Sequence, residues 1–430
     1  MDARQAIEKR IAPVVDVMEK NGKLGKMFSQ CFLNTVETTL SADEDGTAFV
    51  ITGDIPAMWL RDSTLQVMHY MRFTDEPEVR DLLRGLIEKQ ARMIILDPYA
   101  NAYNHGDTGA HWSEDRPGQS GWVWERKYEI DSLCFPIMLA DAYAKCHARE
   151  ELLTDAFKAS LKTIVGVFRK EQHHEKSDYW FERDNCPPSD TLCNGGKGAP
   201  VAYTGMTWSG FRPSDDACKY GYLIPSELFA VVTLRRIASF ANLFDAELAA
   251  EARRLAREIR RGIYGYGLVT HPNHGLIYAY ETDGMGHYNL MDDANVPSLL
   301  SLPYLGICGK DDPLYLRTRG FVLSDDNRYF YHGALAKGVG SPHTPAGYVW
   351  HIALCIEALT TDDDDEIARI MKALLTTHAG TEFMHEGFDP NDPAKFTRSW
   401  FAWANSMFGE LVYTLYEQGK LASIMEKVNG

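Results

Sequence analysis

Apolar residues recur every three to four positions over most of the chain, which is the spacing of helices that bury one face. This pattern predicts about fourteen helices, at residues 6–18, 24–40, 63–72, 79–96, 130–147, 152–169, 224–242, 246–263, 296–305, 313–322, 347–359, 363–377, 399–417 and 421–428. The clearest strand pattern is a hairpin of residues 267–269 and 277–281 around the turn 271–275. The pattern therefore predicts an all-α protein with one small hairpin.

The connections between the predicted helices alternate between short and long. Short connections lie at 73–78, 148–151, 243–245, 306–312, 360–362 and 418–420, and long ones at 97–129, 170–223, 264–295, 323–346 and 378–398. Short connections join antiparallel neighbours. Since consecutive helices then reverse direction, all the long loops fall on one face, which we expect to carry the function.

Six segments at or near the starts of predicted helices mix aromatic with polar residues. They lie at 54–62, 124–131, 211–216, 291–295, 343–348 and 396–400. Six helix starts that converge on one face, alternating with six returning helices, describe an (α/α)6 barrel (toroid) with the long loops and the hairpin on one face and a pocket at its centre. Because no low-complexity linker interrupts the chain, we expect residues 1–430 to form a single catalytic domain.

Charge and composition exclude several classes of partner. The 430 residues include 44 Lys and Arg against 60 Asp and Glu, for a net charge of −16, which disfavours nucleic acid and anionic membranes. No apolar run approaches the roughly 18 residues of a membrane span, and the segment 1–10 alternates charged with apolar residues, unlike a signal peptide. The eight cysteines form no CxxC motif. We expect a cytoplasmic protein with reduced thiols and no nucleic acid or membrane partner.

The aromatic and polar mixture in the six segments suits a carbohydrate ligand. Aromatic rings cover the C–H faces of a sugar, and Asp, Glu, Arg and His bond its hydroxyl groups. The loop residues Trp112 and Trp208 are candidate platforms, and His105, His111, His343 and His351 are candidate hydrogen-bond partners. An acidic residue before a helix also caps free backbone N–H groups, and this local role stays an alternative for Asp62, Asp131, Asp216 and Asp293.

Two acidic sites are candidates for acid and base chemistry. Asp215 and Asp216 are adjacent, and like charges at that spacing raise one carboxyl pKa toward general-acid use. Glu386 lies in a glycine-flanked loop close in sequence to Arg398. Glycoside hydrolysis requires two such carboxyl groups. Asp292 and Asp293 are a weak alternative for calcium, because two carboxylates lack further oxygen ligands at a suitable spacing. The sequence predicts no metal and no cofactor.

Five segments together resemble glycoside hydrolase family 125, the exo-acting α-1,6-mannosidases of bacteria and fungi. They lie at 52–63, 124–131, 205–216, 291–301 and 395–405. The resemblance implies a single-domain (α/α)6 barrel that hydrolyses with inversion and without a metal. It implies a general base at Glu386 and a general acid in the Ser-Asp-Asp segment, where Asp215 and Asp216 both stay open. Inversion also implies that the two carboxyl groups lie roughly 6.5–9.5 Å apart.

The resemblance and the six segments give a set of expected substrate contacts. The resemblance implies that Arg61 and Asp62 hold hydroxyl groups of a terminal mannose. The full set of expected binding residues is Asp54, Trp59, Arg61, Asp62, His105, Trp112, Glu125, Tyr128, Asp131, Trp208, Arg212, Asp292, Asp293, His351 and Arg398. The expected ligand is an α-mannoside oligosaccharide, such as a fragment of trimmed N-glycan or mannan.

Two other classes of function fit the same pattern. One is another (α/α)6 sugar enzyme, such as a different α-glycosidase, an epimerase or a phosphorylase. A phosphorylase would replace the base with an anion site, and Glu386 close to Arg398 argues against it. The other is a glycan-binding protein without catalysis, which would tolerate the loss of Glu386 or Asp215.

Overall fold

The helices of the protein form the predicted (α/α)6 barrel. In residues 2–430, which this computed structural model describes, there are fourteen α-helices. They are α1 (Ala3–Lys20), α2 (Gly25–Asn34), α3 (Leu60–Leu65), α4 (Pro77–Leu96), α5 (Phe135–Cys146), α6 (Asp155–Glu171), α7 (Cys193–Gly196), α8 (Ile224–Ala241), α9 (Ala246–Tyr266), α10 (Pro313–Val322), α11 (His351–Leu359), α12 (Asp364–Thr376), α13 (Ala402–Glu417) and α14 (Leu421–Asn429). The helical periodicity thus located most of them within a few residues.

Burial separates inner from outer helices. The inner helices α8, α11 and α13 are buried around most of their circumference, whereas the outer helices α9 and α12 bury only one stripe. A helix without an exposed face belongs inside a larger core. Going round the ring, α13 packs on α3, α3 on α5, α5 on α8, and α11 on α13.

The remaining inner position is occupied by residues 296–307, which do not form the predicted helix 296–305. The side chains of Ser298 and Ser301 each accept a hydrogen bond from the other's backbone N–H, at 3.1 and 2.8 Å. The carboxylate of Asp292 accepts from the N–H groups of Leu299 and Leu300, at 2.8 and 3.0 Å. Side chains that take backbone N–H groups compete with a helix, so the segment folds as consecutive turns despite its helical spacing of apolar residues.

Short strands are more numerous than the sequence pattern indicated. The described residues contain seventeen strands in seven small sheets. They are β1 (Leu40–Ala42), β2 (Ala48–Val50), β3 (Met58–Trp59), β4 (Ala102–Tyr103), β5 (Asp115–Arg116), β6 (Val123–Glu125), β7 (Glu182–Arg183), β8 (Tyr222–Leu223), β9 (Leu268–His271), β10 (Gly275–Tyr278), β11 (Glu281–Thr282), β12 (Tyr288–Asn289), β13 (Phe330–His332), β14 (Lys337–Val339), β15 (Val349–Trp350), β16 (Gly387–Asp389) and β17 (Asp392–Phe396). The predicted hairpin is confirmed as the antiparallel pair β9 and β10, with Gly275 opposite His271.

Several of these strands fix the starts of inner helices. The strands β3, β8 and β15 end at the residue before α3, α8 and α11. Trp350 in β15 lies opposite Gly387 in β16, where a Cβ atom would lie 3.1 Å from the Trp350 Nε1. Glycine therefore allows the close approach that fixes the backbone next to Glu386.

One cluster of buried apolar side chains runs from Ala3 in α1 to Met425 in α14. A smaller one, of Ala57, Trp59, Ala102 and Trp124, lies beside the long loops. None of the helices in residues 2–430 is long and apolar enough to cross a bilayer. The eight cysteines are unpaired in this part of the chain.

Candidate active site

A cavity of about 650 Å³ opens among the long loops, within the roughly 300–1,000 Å³ of small-molecule sites. Its charged wall residues are Asp54, Arg61, Asp62, Glu125, Lys127, Arg183, Asp190, Asp215, Asp216, His343, Glu386 and Arg398, and its aromatic ones are Trp59, Trp112, Trp350, Phe401 and Trp403. The long loops thus converge on one cavity, as the alternation of short and long connections predicted.

One wall of the cavity is organised around Arg61, in the first turn of α3. Its Nη1 donates to the carboxylates of Glu129 and Asp131, at 2.8 and 3.0 Å. Its Nη2 lies 3.7 Å from Asp215 Oδ1, and its Nε lies 3.5 Å from Asp62 Oδ1. Burial opposes the charge of Arg61, but the surrounding carboxylates outweigh burial and raise its pKa. Arg61 thus holds four acidic side chains in fixed positions.

Asp215 lies at a left-handed position in a tight turn, with φ of 66°. Its N–H donates to the carbonyl of Arg212 at 2.9 Å, and the N–H of Arg212 donates to the carbonyl of Asp216 at 2.8 Å. The Arg212 guanidinium anchors the turn by donating to Glu281 at 2.6 Å. Asn101 donates to Asp215 Oδ1 at 3.1 Å. A strained backbone held by so many bonds is common at functional sites.

The carboxyl group of Glu129 donates a hydrogen bond to the carboxylate of Asp215. Burial raises the pKa of Glu129 well above its ordinary range. Burial acts on Asp215 in the same direction, but the charges of Arg61 and Lys127 outweigh it and lower the pKa of Asp215. Two carboxyl groups in this relation hold one proton between them. Only Asp215 of the pair lines the cavity, and these directions place the proton on Glu129, outside the cavity lining, and leave Asp215 ionised. The raised pKa expected for one of the two adjacent aspartates is therefore not found at Asp215.

Glu386 lies across the ring from Asp215. Asp215 lies in the loop that leads to α8, the third inner position, and Glu386 in the loop that leads to α13, the sixth. Burial raises the pKa of Glu386, against the charges of His343 and Arg398. The third and sixth positions of a ring of six are opposite, so the two carboxyl groups approach the cavity from opposite sides.

Hydrogen bonds to the residues before and after Glu386 hold its backbone in place. The N–H of His385 donates to His351 Nδ1 at 2.9 Å, and the N–H of Gly387 donates to Thr397 Oγ1 at 3.0 Å. Burial lowers the pKa of His351 to about 3, so its ring is neutral and accepts this bond. Arg398 Nη1 lies 4.0 Å from Glu386 Oε1. The same guanidinium donates to both carboxylate oxygens of Asp54, with Nε at 3.0 and 3.2 Å.

His343 links the remaining acidic groups. Its Nδ1 lies 3.2 Å from Asp216 Oδ1. Burial favours the neutral ring, but the hydrogen bond to Asp216 and the charges of Asp216, Glu386 and Asp215 outweigh it and raise the pKa of His343 to about 9. His343 is therefore cationic at neutral pH and forms an ion pair with Asp216.

This ion pair predicts a pH dependence of stability. The pKa of His343 is about 9 in the folded state against an ordinary value of 6.5, so the stabilisation is complete below 6.5 and is lost as pH rises through 9. We expect the free energy of unfolding to fall by about 1 kcal/mol more in the wild type than in His343→Gln between about pH 7 and 10, a reduced figure because exposed pairs are screened. The His343 side chain is 40% exposed. Urea unfolding of both proteins across this range measures the difference, and parallel curves would contradict it.

The structure brings ten of the eighteen predicted site residues to the cavity wall. They are Asp54, Trp59, Arg61, Asp62, Trp112, Glu125, Asp215, Asp216, Glu386 and Arg398. The other eight are outside the wall, which corrects the expectation of direct contact. Those eight are His105, Tyr128, Asp131, Trp208, Arg212, Asp292, Asp293 and His351.

Most of these eight support the wall from behind. Asp131 binds Arg61, Arg212 anchors the Asp215 turn, and His351 holds the backbone before Glu386. Asp292 caps the turns at 299–300, and Asp293 accepts from the backbone and side chain of Asn295, each at 3.2 Å. Asp293 thus binds a backbone N–H group, as the local alternative proposed, whereas Asp131 binds the Arg61 side chain instead.

The remaining three pack against other aromatic rings. Trp208 is buried and stacks on His174, with ring centroids 3.4 Å apart. Tyr128 packs on Tyr179 at 5.7 Å. His105 stacks on Phe49 at 4.4 Å and bonds Asp43. Their rings are therefore committed to packing.

Sequence reasoning missed a charged group on the wall centred on Arg183. Its guanidinium donates to Asp115 at 2.7 Å, to Glu125 at 2.8 Å and to Asp190 at 2.9 Å. Lys127 also donates to Asp190, and to the carbonyl of Asp215 at 2.8 Å. Arg183 and Asp190 lie inside the long loop 170–223, in stretches that look like ordinary exposed loop, and no local signal marks them.

Comparison with known proteins identifies the family of this chain. The family model described as metal-independent alpha-mannosidase (GH125) matches residues 21–413. The chain belongs to GH125. The resemblance found in the sequence segments is thereby confirmed, and the protein is an α-mannosidase of the glycoside hydrolase type.

Individual relatives agree with this assignment to GH125. A Streptococcus pneumoniae metal-independent α-mannosidase, solved in a non-productive complex with α-1,6-mannobiose, is 42% identical, with coverage of 96% of this chain and 98% of that chain and a TM-score of 0.93. The meiotically up-regulated gene 157 protein of Schizosaccharomyces pombe is 38% identical over 96% of this chain and 86% of its own length. A bacterial glucoamylase is 13% identical, with coverage of 86% of this chain and 50% of that chain and a TM-score of 0.55, which shows the shared fold alone.

Proposed function

We propose that this GH125 protein is an exo-acting α-1,6-mannosidase that inverts the anomeric configuration, with Asp215 as general acid and Glu386 as general base. The observation that carries the proposal is the placement of these two carboxyl groups on loops at opposite positions of the ring, both lining one cavity. An inverting glycosidase requires an acid on one side of the sugar and a base with a water molecule on the other.

Asp215 is favoured over Asp216 as the acid because of its surroundings. Asp216 is engaged in an ion pair with the cationic His343, which suits it to bind a hydroxyl group of the substrate. Asp215 is bonded to Glu129, which holds the proton of the pair, and the Asp215 side chain is 24% exposed against 9% for Asp216. A general acid must be supplied with a proton, and we infer that Glu129 supplies it to Asp215.

The reaction then runs in one displacement. The proton held by Glu129 passes to Asp215, which gives it to the glycosidic oxygen as the bond from that oxygen to C1 breaks. Glu386 takes a proton from a water molecule, whose oxygen forms a new bond to C1 from the opposite face, so α-linked substrate gives β-mannose. Burial makes Glu386 a stronger base, and the charges of His343 and Arg398 counter burial and favour its ionised form.

Exo action and α-1,6 linkage are proposed from residues of the cavity wall and from the Streptococcus pneumoniae relative. Arg61, Asp62 and Thr52 meet on the wall, with Thr52 donating to Asp62, and suit the hydroxyl groups of a terminal mannose. The relative was solved with α-1,6-mannobiose. A neutral oligosaccharide is also compatible with the net charge of −16.

Reducing-end-labelled α-1,6-mannotetraose tests the exo action. The proposal expects labelled triose to accumulate first, then labelled biose, with mannose as the sole unlabelled product. Early labelled biose together with unlabelled mannobiose would indicate internal cleavage and contradict it. The matched α-1,2- and α-1,3-linked substrates are expected to react much more slowly.

Trp112 gives a prediction for the leaving-group side. It lines the cavity and is 63% exposed, which places a free indole face at the rim. Stacking on an aromatic face contributes about 1 kcal/mol, so Trp112→Ala should raise KM for α-1,6-mannobiose about 3- to 10-fold and leave KM for α-mannosyl fluoride, whose leaving group is too small to reach the rim, within about twofold. Equal changes in KM for both substrates would contradict a leaving-side role.

A further inference from the structure

We propose that His271, His274 and Asp326 form a surface site for a divalent transition-metal ion, best fitted by Zn²⁺, that joins the hairpin β9–β10 to the loop after α10. None of these residues lines the cavity. The inference therefore stands apart from the proposed catalytic function.

The three side chains already lie close enough to share an ion. One ligand atom from each residue lies within 4.8 Å of the others, and this is the one such group of three found in residues 2–430. The nearest pair is His274 Nε2 and Asp326 Oδ2, at 2.8 Å. With zinc bonds of about 2.0–2.2 Å, tetrahedral ligand atoms lie about 3.4 Å apart, so side-chain shifts of about an ångström would complete the site.

The backbone and its neighbours hold these residues in place. His271 ends β9 and lies opposite Gly275, the first residue of β10. Phe321 in α10 packs against both histidine rings, with centroids 5.3 and 5.8 Å away. Asn273 Nδ2 donates to Asp326 at 3.0 Å. Partners that orient the ligating groups raise metal affinity.

The chemistry of the donors decides the class of ion. Two imidazole nitrogens with one carboxylate suit Zn²⁺, Cu²⁺ or Ni²⁺, whereas Ca²⁺ and Mg²⁺ prefer oxygen ligands. The side chains of His274 and Asp326 are 18% and 34% exposed, which leaves solvent access for water as a fourth ligand. A metal ion binds the unprotonated imidazole, so affinity should fall below about pH 6.

Other His and Asp pairs on the surface lack the third ligand. His332 and Asp325 lie in the same region, with Nε2 and Oδ1 2.9 Å apart, but they do not belong to a group of three. This pair supplies a matched control, because it has the same chemistry and one histidine fewer.

The test is a Zn²⁺ titration of the chelator-treated full chain by calorimetry at about pH 7.5, with melting temperature measured in the presence and absence of about 100 μM Zn²⁺. We expect one equivalent bound and a higher melting temperature with zinc. His274→Ala and Asp326→Asn should each weaken that binding at least tenfold and remove the rise, whereas His332→Ala should retain both.

Two results would overturn the site. One is a wild type that binds no zinc at about 100 μM, and the other is unchanged zinc affinity in both His274→Ala and Asp326→Asn. The melting temperatures of the metal-free variants check that they fold. If His274→Ala does not fold, the milder Asp326→Asn alone tests the site. Mannosidase activity in EDTA is measured separately, so failure of the zinc site leaves the proposed function untouched.

Discussion

Replacing Asp215 by Asn should lower kcat/KM on α-1,6-mannobiose by about 10²–10⁴-fold, the usual contribution of a general acid. The effect should depend on the leaving group, because a good leaving group departs without a proton. On 2,4-dinitrophenyl α-mannoside we expect a loss of about tenfold or less. Steady-state kinetics on the two substrates measure this difference directly.

Asp216→Asn is the matched control, since it changes the neighbouring residue in the same way. Asp216 is paired with His343 and is proposed to bind substrate, so its loss should affect both substrates by a similar factor. If Asp216→Asn shows the dependence on leaving group and Asp215→Asn does not, the roles of the two residues are reversed.

Replacing Glu386 by Gln should lower kcat by about 10²–10⁴-fold on every substrate. The base activates water, a step that all leaving groups share, so dinitrophenyl mannoside should not escape the loss. Gln keeps the shape of the side chain, and the dissociation constant for α-1,6-mannobiose should change only a few-fold. Calorimetry on the inactive variant measures the binding.

Glu382→Gln is the control for Glu386→Gln, because it removes a nearby carboxylate that does not line the cavity. Glu382 is paired with Lys26, and its side chain is 39% exposed. Its loss should leave kcat within about twofold, since exposed ion pairs contribute little. A Glu386→Gln enzyme that retains turnover would favour a binding role for this residue.

Most of the helices could be predicted from the sequence because an amphipathic helix repeats its apolar residues every three to four positions. The helix α10 matches the predicted 313–322 at both ends. Its boundaries are set by local signals, with Asp312 capping the N–H groups of Leu314 and Tyr315. The period failed at 296–305, where Asp292, Ser298 and Ser301 take the backbone N–H groups that a helix would use.

The candidate site could be predicted only in part from the sequence. The mixed aromatic and polar segments located the loops correctly, but a segment does not tell which side chains face the cavity. Asp62 lines the wall and Asp131 lies behind it, although both are acidic residues at the start of an inner helix. The two side chains point in different directions. The direction of Asp131 depends on its hydrogen bond with Arg61, which lies seventy positions earlier in the sequence.

Contacts between loops that are far apart in the sequence could not be predicted, for the same reason. Arg183 reaches Asp115 and Glu125 from a loop 68 and 58 residues away, and nothing local to Arg183 indicates either partner. The proton on Glu129 beside Asp215 also depends on tertiary structure, since burial of Glu129 raises its pKa. The single-domain organisation and the cytoplasmic location stay predictions.

The central claim is that Asp215 and Glu386 act as an inverting acid and base pair. Proton NMR of the reaction on α-1,6-mannobiose tests it most directly, recorded in EDTA before mutarotation mixes the anomers. The account predicts that β-mannose appears first and that EDTA leaves the rate unchanged. Initial release of α-mannose would contradict inversion and require a nucleophile in place of the proposed base.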